Sequence, residues 1–229
     1  MFHAVLFDLD GTLVDSERES GLAMALALEE GLGVRVSQEE LDFIVGRSWH
    51  EIDTRLRAAH GARLGWSLER LIDESTRARA RVIAEQGMRI LPGAVETVRR
   101  LGQGRVRALV TGSGRAEARQ ALDVLGLVDE FAVLFASEDY ARGKPAPDGY
   151  LAAAAQLGVQ PLDCLVVEDS RAGIAAGRDA GMTVVAVSIG NYLAQDQSAA
   201  HRIVPTLYDL TDELLAELAV ERDARRAHA

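Results

Sequence analysis

Phe7-Asp8-Leu9-Asp10-Gly11-Thr12 follows directly on the apolar run Ala4-Val5-Leu6, and how this stretch is read decides the fold. A strand places alternate side chains on one face, so an extended backbone carried to its tip projects Asp8 and Asp10 the same way. Two carboxylates in one small space raise each other's proton affinity, which is unfavourable unless a cation sits between them. The plain alternative is a solvated acidic turn that Gly11 closes.

Outward from this pair, apolar strand-like runs alternate with helical patterns. Residues 106–110 read as a strand, 115–125 as a helix and 131–135 as a strand. Residues 147–157 form a helix closed by Gly158, 165–167 a strand, 172–180 a helix closed by Gly181, and 183–187 a strand, with Ile203-Val204 as a last short one. Strands joined through single helices need crossovers, which gives an α/β fold: a Rossmann-like parallel sheet with helices on both faces. One stretch breaks the alternation. Helical patterns at 15–30, 38–45, 49–59 and 67–86 run without a strand signal, ending at Leu91-Pro92-Gly93. In the first of them Ser16 and Glu19 match a capping box and Gly31 is the expected stop. The chain therefore divides into a sheet core, 1–14 with 88–229, and an inserted four-helix bundle, 15–87.

With 229 residues, 48% hydrophobic and 26% charged, the chain has the composition of a soluble globular protein. No apolar run approaches the roughly 20 residues of a membrane span, and no leader pattern precedes the first strand, so a cytoplasmic location is expected. Net charge of -10 argues against nucleic-acid or anionic-membrane partners and for small ones. A monomer is expected, with a dimer left open. The one cysteine, Cys164, lies in an apolar run and reads as a buried small hydrophobe. Of 25 basic residues, Lys144 alone is a lysine. A lysine is a compact point charge where an arginine is a planar fork, and the two are not interchangeable in a tight site.

In parallel sheets ligands bind beyond the carboxyl ends of the strands. Besides Asp8 and Asp10, those ends carry Thr111-Gly112-Ser113-Gly114 and Glu168-Asp169-Ser170. A hydroxyl with backbone N–H groups at a helix start, as at Thr111 and Gly112, suits a phosphate, although such turns also simply cap helices. Lys144 sits in Gly143-Lys144-Pro145-Ala146-Pro147-Asp148, a loop stiffened by prolines. Four acids at one edge (Asp8, Asp10, Glu168, Asp169) favour a hard divalent cation with oxygen ligands, magnesium being the natural candidate. Gly173, Ala176, Gly177 and Ala180 form a stripe of small side chains that sets packing distance and carries no chemistry.

Together these segments resemble the haloacid dehalogenase superfamily over nearly the whole chain: Asp8-Leu9-Asp10-Gly11-Thr12, Thr111 after its strand, Lys144 in Gly-Lys-Pro-x-Pro, and Glu168-Asp169-Ser170 with Gly173-Ile174-x-Ala176. The helical insert resembles the mobile cap of the branch that holds beta-phosphoglucomutase and sugar-phosphate phosphatases. The resemblance implies a phosphatase acting on a small phosphomonoester, a sugar or polyol phosphate. Asp8 would form an aspartyl phosphate, and Asp10 would be the general acid/base with its main-chain carbonyl on magnesium. Thr111, Gly112 and Lys144 would hold the phosphoryl group, and Asp169 with Glu168 would complete the metal site.

The same resemblance makes Arg47, Trp49 and His50 candidate substrate contacts, because the loop after the second cap helix faces the site in related proteins. The bland reading puts Trp49 in a core and the other two in solvent. Arg115 is a further candidate anion contact, and the arginines between Arg55 and Arg81 read as a solvated helix face. Residues 221–229 read as a fraying helix tail.

Neighbouring chemistries can be weighed residue by residue. Haloalkanoate dehalogenases lack the second aspartate, so Asp10 argues against them. Phosphonate hydrolases of the superfamily need a cap lysine, and none exists here. The mutase remains the alternative. Ser20 and Trp49 stand where it carries a histidine and a phosphate-gripping arginine, although an offset of two would restore Arg47. A phosphoacceptor signalling or binding module is an alternative of another class. The helical insert, which would enclose a small substrate, argues against it.

Overall fold

A computed structural model describes residues 1–44, 47, 49–192 and 194–227. In chain order the elements are β1 (Ala4–Phe7), α1 (Ser16–Leu32), α2 (Gln38–Ile44), α3 (Trp49–His60), α4 (Leu68–Gln86), α5 (Ala94–Leu101), β2 (Val106–Val110), α6 (Arg115–Leu125), β3 (Val133–Phe135), α7 (Asp148–Leu157), β4 (Cys164–Glu168), α8 (Arg171–Asp179), β5 (Thr183–Val187), β6 (Arg202–Val204) and α9 (Asp212–Ala227). The chain forms two compact units: Met1–Val14 with Ile90–Ala229, and Asp15–Arg89.

The first unit is built on a six-stranded sheet of order β3-β2-β1-β4-β5-β6 in which every pairing is parallel. All four residues of β1 are buried. Strands of a parallel sheet are covered on both faces and therefore read as unbroken apolar runs. Ala4 and Leu6 pack with Ala108, Val110, Val166 and residues of α7 and α8; Val5 and Phe7, which alternation puts on the opposite face, are equally buried. Phe7 aligns with Leu109 on one side and Val167 on the other. Strand order reverses at β1, which opens a crevice beyond its carboxyl end.

Several boundaries differ from the sequence reading. β3 starts at Val133, because Phe131 instead turns edge-on to Phe7 with ring centroids 6.1 Å apart. Helix α5, with Thr97, Val98 and Leu101 on its buried side, escapes the sequence reading. Its eight residues follow the Leu91-Pro92-Gly93 punctuation too closely for a separate periodic signal. The C-terminal segment is no fraying tail: α9 runs to Ala227, and its buried Arg222 donates to the Met1 carbonyl at 3.0 Å and pairs with Asp163 at 3.3 Å. His228 and Ala229 lie outside the described residues. Cys164 is fully buried, and burial pushes its thiol up to about 12.

The second unit holds α1 to α4 around a core that includes Met24, Leu28, Ile52, Leu56, Trp66 and Leu71. Helix α1 does not stop at Gly31. It continues to Leu32, and Gly33, at φ 63, caps it in the left-handed region. Gly31 serves packing instead: a Cβ there would lie 2.2 Å from the Trp66 ring. Gly31→Ala is expected to destabilise the protein by about 1–3 kcal/mol through overpacking, read as a lowered denaturant midpoint at unchanged slope. The capping box at Ser16 and Glu19 does not form. Asp15 is the N-cap, and the buried Glu19 carboxylate accepts the Arg89 backbone N–H at 2.7 Å. On the exposed faces of this unit the arginines are both solvated and paired: Arg55 with Glu39, Arg57 with Asp53, and Arg81 with Glu30. Helix α2 is described to Ile44; Val45 lies outside the described residues.

Candidate active site

Asp8 is the first residue past β1, with its N–H donating to the Val167 carbonyl at 3.0 Å and its side chain buried. The chain then turns sharply, the N–H groups of Leu13 and Val14 both donating to the Leu9 carbonyl. Gly11, at φ +83, is required twice over, because a Cβ there would sit 2.3 Å from the Asp169 carboxylate.

Lys144 reaches Asp8 Oδ1 at 2.5 Å and Glu168 Oε1 at 2.6 Å, and donates to the Val110 carbonyl at 3.1 Å. Glu168 is fully buried, and its other oxygen accepts from the Asp169 and Ser170 N–H groups and the Ser170 hydroxyl, each at 3.0 Å. Asp169 Oδ1 accepts the Thr12 hydroxyl at 3.1 Å. Carboxylate oxygens of Asp8, Glu168 and Asp169 lie within 4.8 Å of one another.

Of the four acids expected at this edge, Asp10 directs its carboxylate elsewhere. Its Oδ2 accepts the Thr111 hydroxyl at 3.2 Å and the Ser113 hydroxyl at 2.5 Å. Thr111 Oγ1 in turn accepts the Ser113 N–H at 3.0 Å, and the Thr111 carbonyl accepts the Tyr140 hydroxyl at 2.6 Å. Gly112 beside them is exposed.

The electrostatics follow from burial. Desolvation pushes Asp8 up to about 7, opposed by Lys144 and aided by Glu168 and Asp10. Desolvation also pushes Asp169 up to about 9, with Glu168 and Asp8 adding to it. Burial would raise Glu168 as well, but the Lys144 ammonium and its other donors outweigh that and hold it below its usual value. For Lys144 itself burial is outweighed by Asp8 and Glu168, which keep it charged. The Lys144 ammonium thus touches two of the three clustered carboxylates, those of Asp8 and Glu168. An all-oxygen donor set with surplus negative charge fits a hard divalent cation.

Some residues of the site carry no signal in the sequence. Tyr150 donates to Glu168 Oε1 at 3.0 Å, and buried Gln197 donates to the Asp169 carbonyl at 2.6 Å from 28 residues away. Gly173 does more than set distance: a Cβ there would overlap the Glu168 carboxylate at 1.6 Å. Arg115, the further candidate anion contact, pairs through its guanidinium with Asp139, and its backbone N–H donates to Glu138.

In the helical unit, Arg47 is exposed, pairs with Glu51 at 3.7 Å and stacks on Phe43 at 4.4 Å. Trp49 is half-buried against that unit's core, His50 is exposed, and Gly46 and Ser48 lie outside the described residues.

The family model for haloacid dehalogenase-like hydrolases matches residues 2–181. The chain is 34% identical to validoxylamine A 7'-phosphate phosphatase of Streptomyces hygroscopicus subsp. limoneus, covering 93% of this chain and 96% of that protein. It is 37% identical to hexitol phosphatase A of Escherichia coli, covering 80% and 82%. The crystal structure of beta-phosphoglucomutase from Clostridium difficile superposes with a TM-score of 0.72 at 25% identity, covering 98% of this chain and all of that one. With its parallel sheet and its buried acids at the tips of β1 and β4, the chain belongs to the haloacid dehalogenase-like hydrolase family.

Proposed function

We propose that this hydrolase is a magnesium-dependent phosphatase that hydrolyses a small phosphomonoester, a sugar or polyol phosphate, through an aspartyl phosphate on Asp8. The observation that carries the reading is a buried carboxylate with its counter-charge in place: Asp8 lies 2.5 Å from the Lys144 ammonium at the carboxyl end of the central strand. Two relatives, named as a validoxylamine A 7'-phosphate phosphatase and a hexitol phosphatase, support the substrate class.

Bringing a carboxylate to about 4 Å from a phosphate dianion costs on the order of 8 kcal/mol at an effective dielectric of 20. Lys144 cancels part of that charge, and the Thr111 hydroxyl with the Gly112 N–H would hold phosphoryl oxygens. Magnesium, held by Asp8, Glu168, Asp169 and the Asp10 main-chain carbonyl, would supply the remaining positive charge. Asp8 attacks phosphorus as the ester bond breaks, and Asp10 gives the leaving oxygen its proton. Asp10 then takes a proton from the water that attacks the aspartyl phosphate, releasing phosphate and restoring Asp8. The helical unit would act as the cap, with Arg47, Trp49 and His50 contacting the leaving group.

Phosphate release from a panel of sugar, polyol and nucleotide monophosphates, with magnesium and with chelator, tests this reading. Magnesium-dependent release is expected, and Asp10→Asn should lower kcat by roughly 10^2 to 10^4-fold. Turnover near the wild-type rate in that variant would remove the role of Asp10. The likeness to beta-phosphoglucomutase supports a second reading. For that arm, beta-glucose 1-phosphate with a trace of bisphosphate is followed for glucose 6-phosphate, and isomerisation without phosphate release would make the protein a mutase.

A further inference from the structure

Ser113 has no part in the mechanism above, yet its hydroxyl makes the shortest contact to Asp10, 2.5 Å to Oδ2. Its backbone is engaged as well. The Ser113 N–H donates to Thr111 Oγ1 at 3.0 Å, and the Ser113 carbonyl accepts the Ser137 N–H at 3.0 Å, which ties the turn to the segment after β3. Two hydroxyls therefore converge on one oxygen of Asp10, and the residue supplying one of them orients the other.

The number of protons decides what this arrangement can do. A threonine hydroxyl has one proton to donate. In this structure the Thr111 proton goes to Asp10 Oδ2 at 3.2 Å, but phosphoryl binding requires it for a phosphoryl oxygen. When Thr111 turns to the phosphoryl group, Asp10 loses one of its two donors, and Ser113 is the one that stays. A carboxylate held by one oxygen keeps the other in a defined direction, which is what proton transfer to the leaving oxygen demands.

We propose that Ser113 is a positioning residue that anchors Asp10 Oδ2 throughout turnover, leaving Oδ1 to carry the proton while Thr111 serves the phosphoryl group. This rests on the assignment of Asp10 as general acid/base. In the first half-reaction the proton on Oδ1 passes to the ester oxygen as its bond to phosphorus breaks and the Asp8–phosphorus bond forms. In the second, Oδ1 takes a proton from the attacking water as the Asp8–phosphorus bond breaks. The Ser113 proton is never transferred.

The test compares Ser113→Ala, Ser113→Thr, Asp10→Asn and the double variant Asp10→Asn/Ser113→Ala. It measures kcat and KM for phosphate release from the best substrate of the panel at saturating magnesium, with thermal unfolding run alongside. Ser113→Ala should lower kcat by about 10 to 100-fold with KM within about twofold and an unchanged melting temperature. Ser113→Thr should recover most of the loss because it keeps the hydroxyl. The double variant should be no slower than Asp10→Asn, since the two groups act as one unit. Wild-type kcat in Ser113→Ala beside a collapsed Asp10→Asn would overturn the proposal and leave the phosphatase reading standing. A raised KM at unchanged kcat would overturn it too, by moving Ser113 to substrate binding. Near-normal turnover in Asp10→Asn would remove the acid/base assignment and the proposal with it.

Discussion

Asp8→Asn is expected to reduce phosphate release by at least about 10^4-fold while leaving the protein folded. An amide oxygen is a far weaker nucleophile than a carboxylate. Asparagine matches aspartate in size, and its carbonyl oxygen can still accept from Lys144. Stability should move the other way. Burial raises the Asp8 carboxyl to about 7 in the folded protein from 3.8, so the fold prefers its neutral form. Above about pH 7 the native state holds that charge at a cost, and below about pH 4 the group is neutral both folded and unfolded. A neutral isostere therefore stabilises the cation-free protein at neutral to alkaline pH. Thermal unfolding in chelator at pH 8 checks this: a melting temperature equal to or above wild type is expected beside the loss of activity. A large drop would mean that Asp8 is structural.

Lys144→Met removes the cation that, among the described residues, touches both Asp8 and Glu168. Glu168 is fully buried, so its carboxylate would be left without its charge partner, and breaking such a pair typically costs about 3–5 kcal/mol. Activity should fall by roughly 10^3-fold, because the charge that offsets repulsion between nucleophile and phosphate is gone. The informative companion is Lys144→Arg. In a chain that otherwise uses arginine for every basic residue, arginine restores the charge at this position but should not restore activity. The ammonium donates to Asp8, Glu168 and the Val110 carbonyl at once, and a larger planar fork cannot reproduce that set. Wild-type kcat/KM in Lys144→Arg would show that only net charge matters at this position.

Much of the fold is legible before folding because its signals are local. Apolar runs with turn residues between them mark β2 and β5 to the residue, and the small residues along α8 mark its packing face. Local signals mislead where a distant partner intervenes. Gly31 reads as a helix stop, but its missing side chain makes room for Trp66, so the helix runs on to the next glycine. Glu19 reads as half of a capping box, but its carboxylate turns to the backbone of Arg89, 70 residues away.

At the candidate site the same division holds. By itself the sequence determined the parallel sheet and the acids, hydroxyls and single lysine placed at its strand tips, because strand ends and turns are set by neighbours in the chain. The tertiary structure decided how those groups are shared. It gathered Asp8, Glu168 and Asp169 into one cluster, gave Lys144 to Asp8 and Glu168, and drew Asp10 away to Thr111 and Ser113. It also brought in Tyr150 and Gln197, which no motif marks. These choices are made between groups as far apart in the chain as Asp8 and Asp169, by burial that raises the cost of an unpaired charge and by the positions of the few donors within reach.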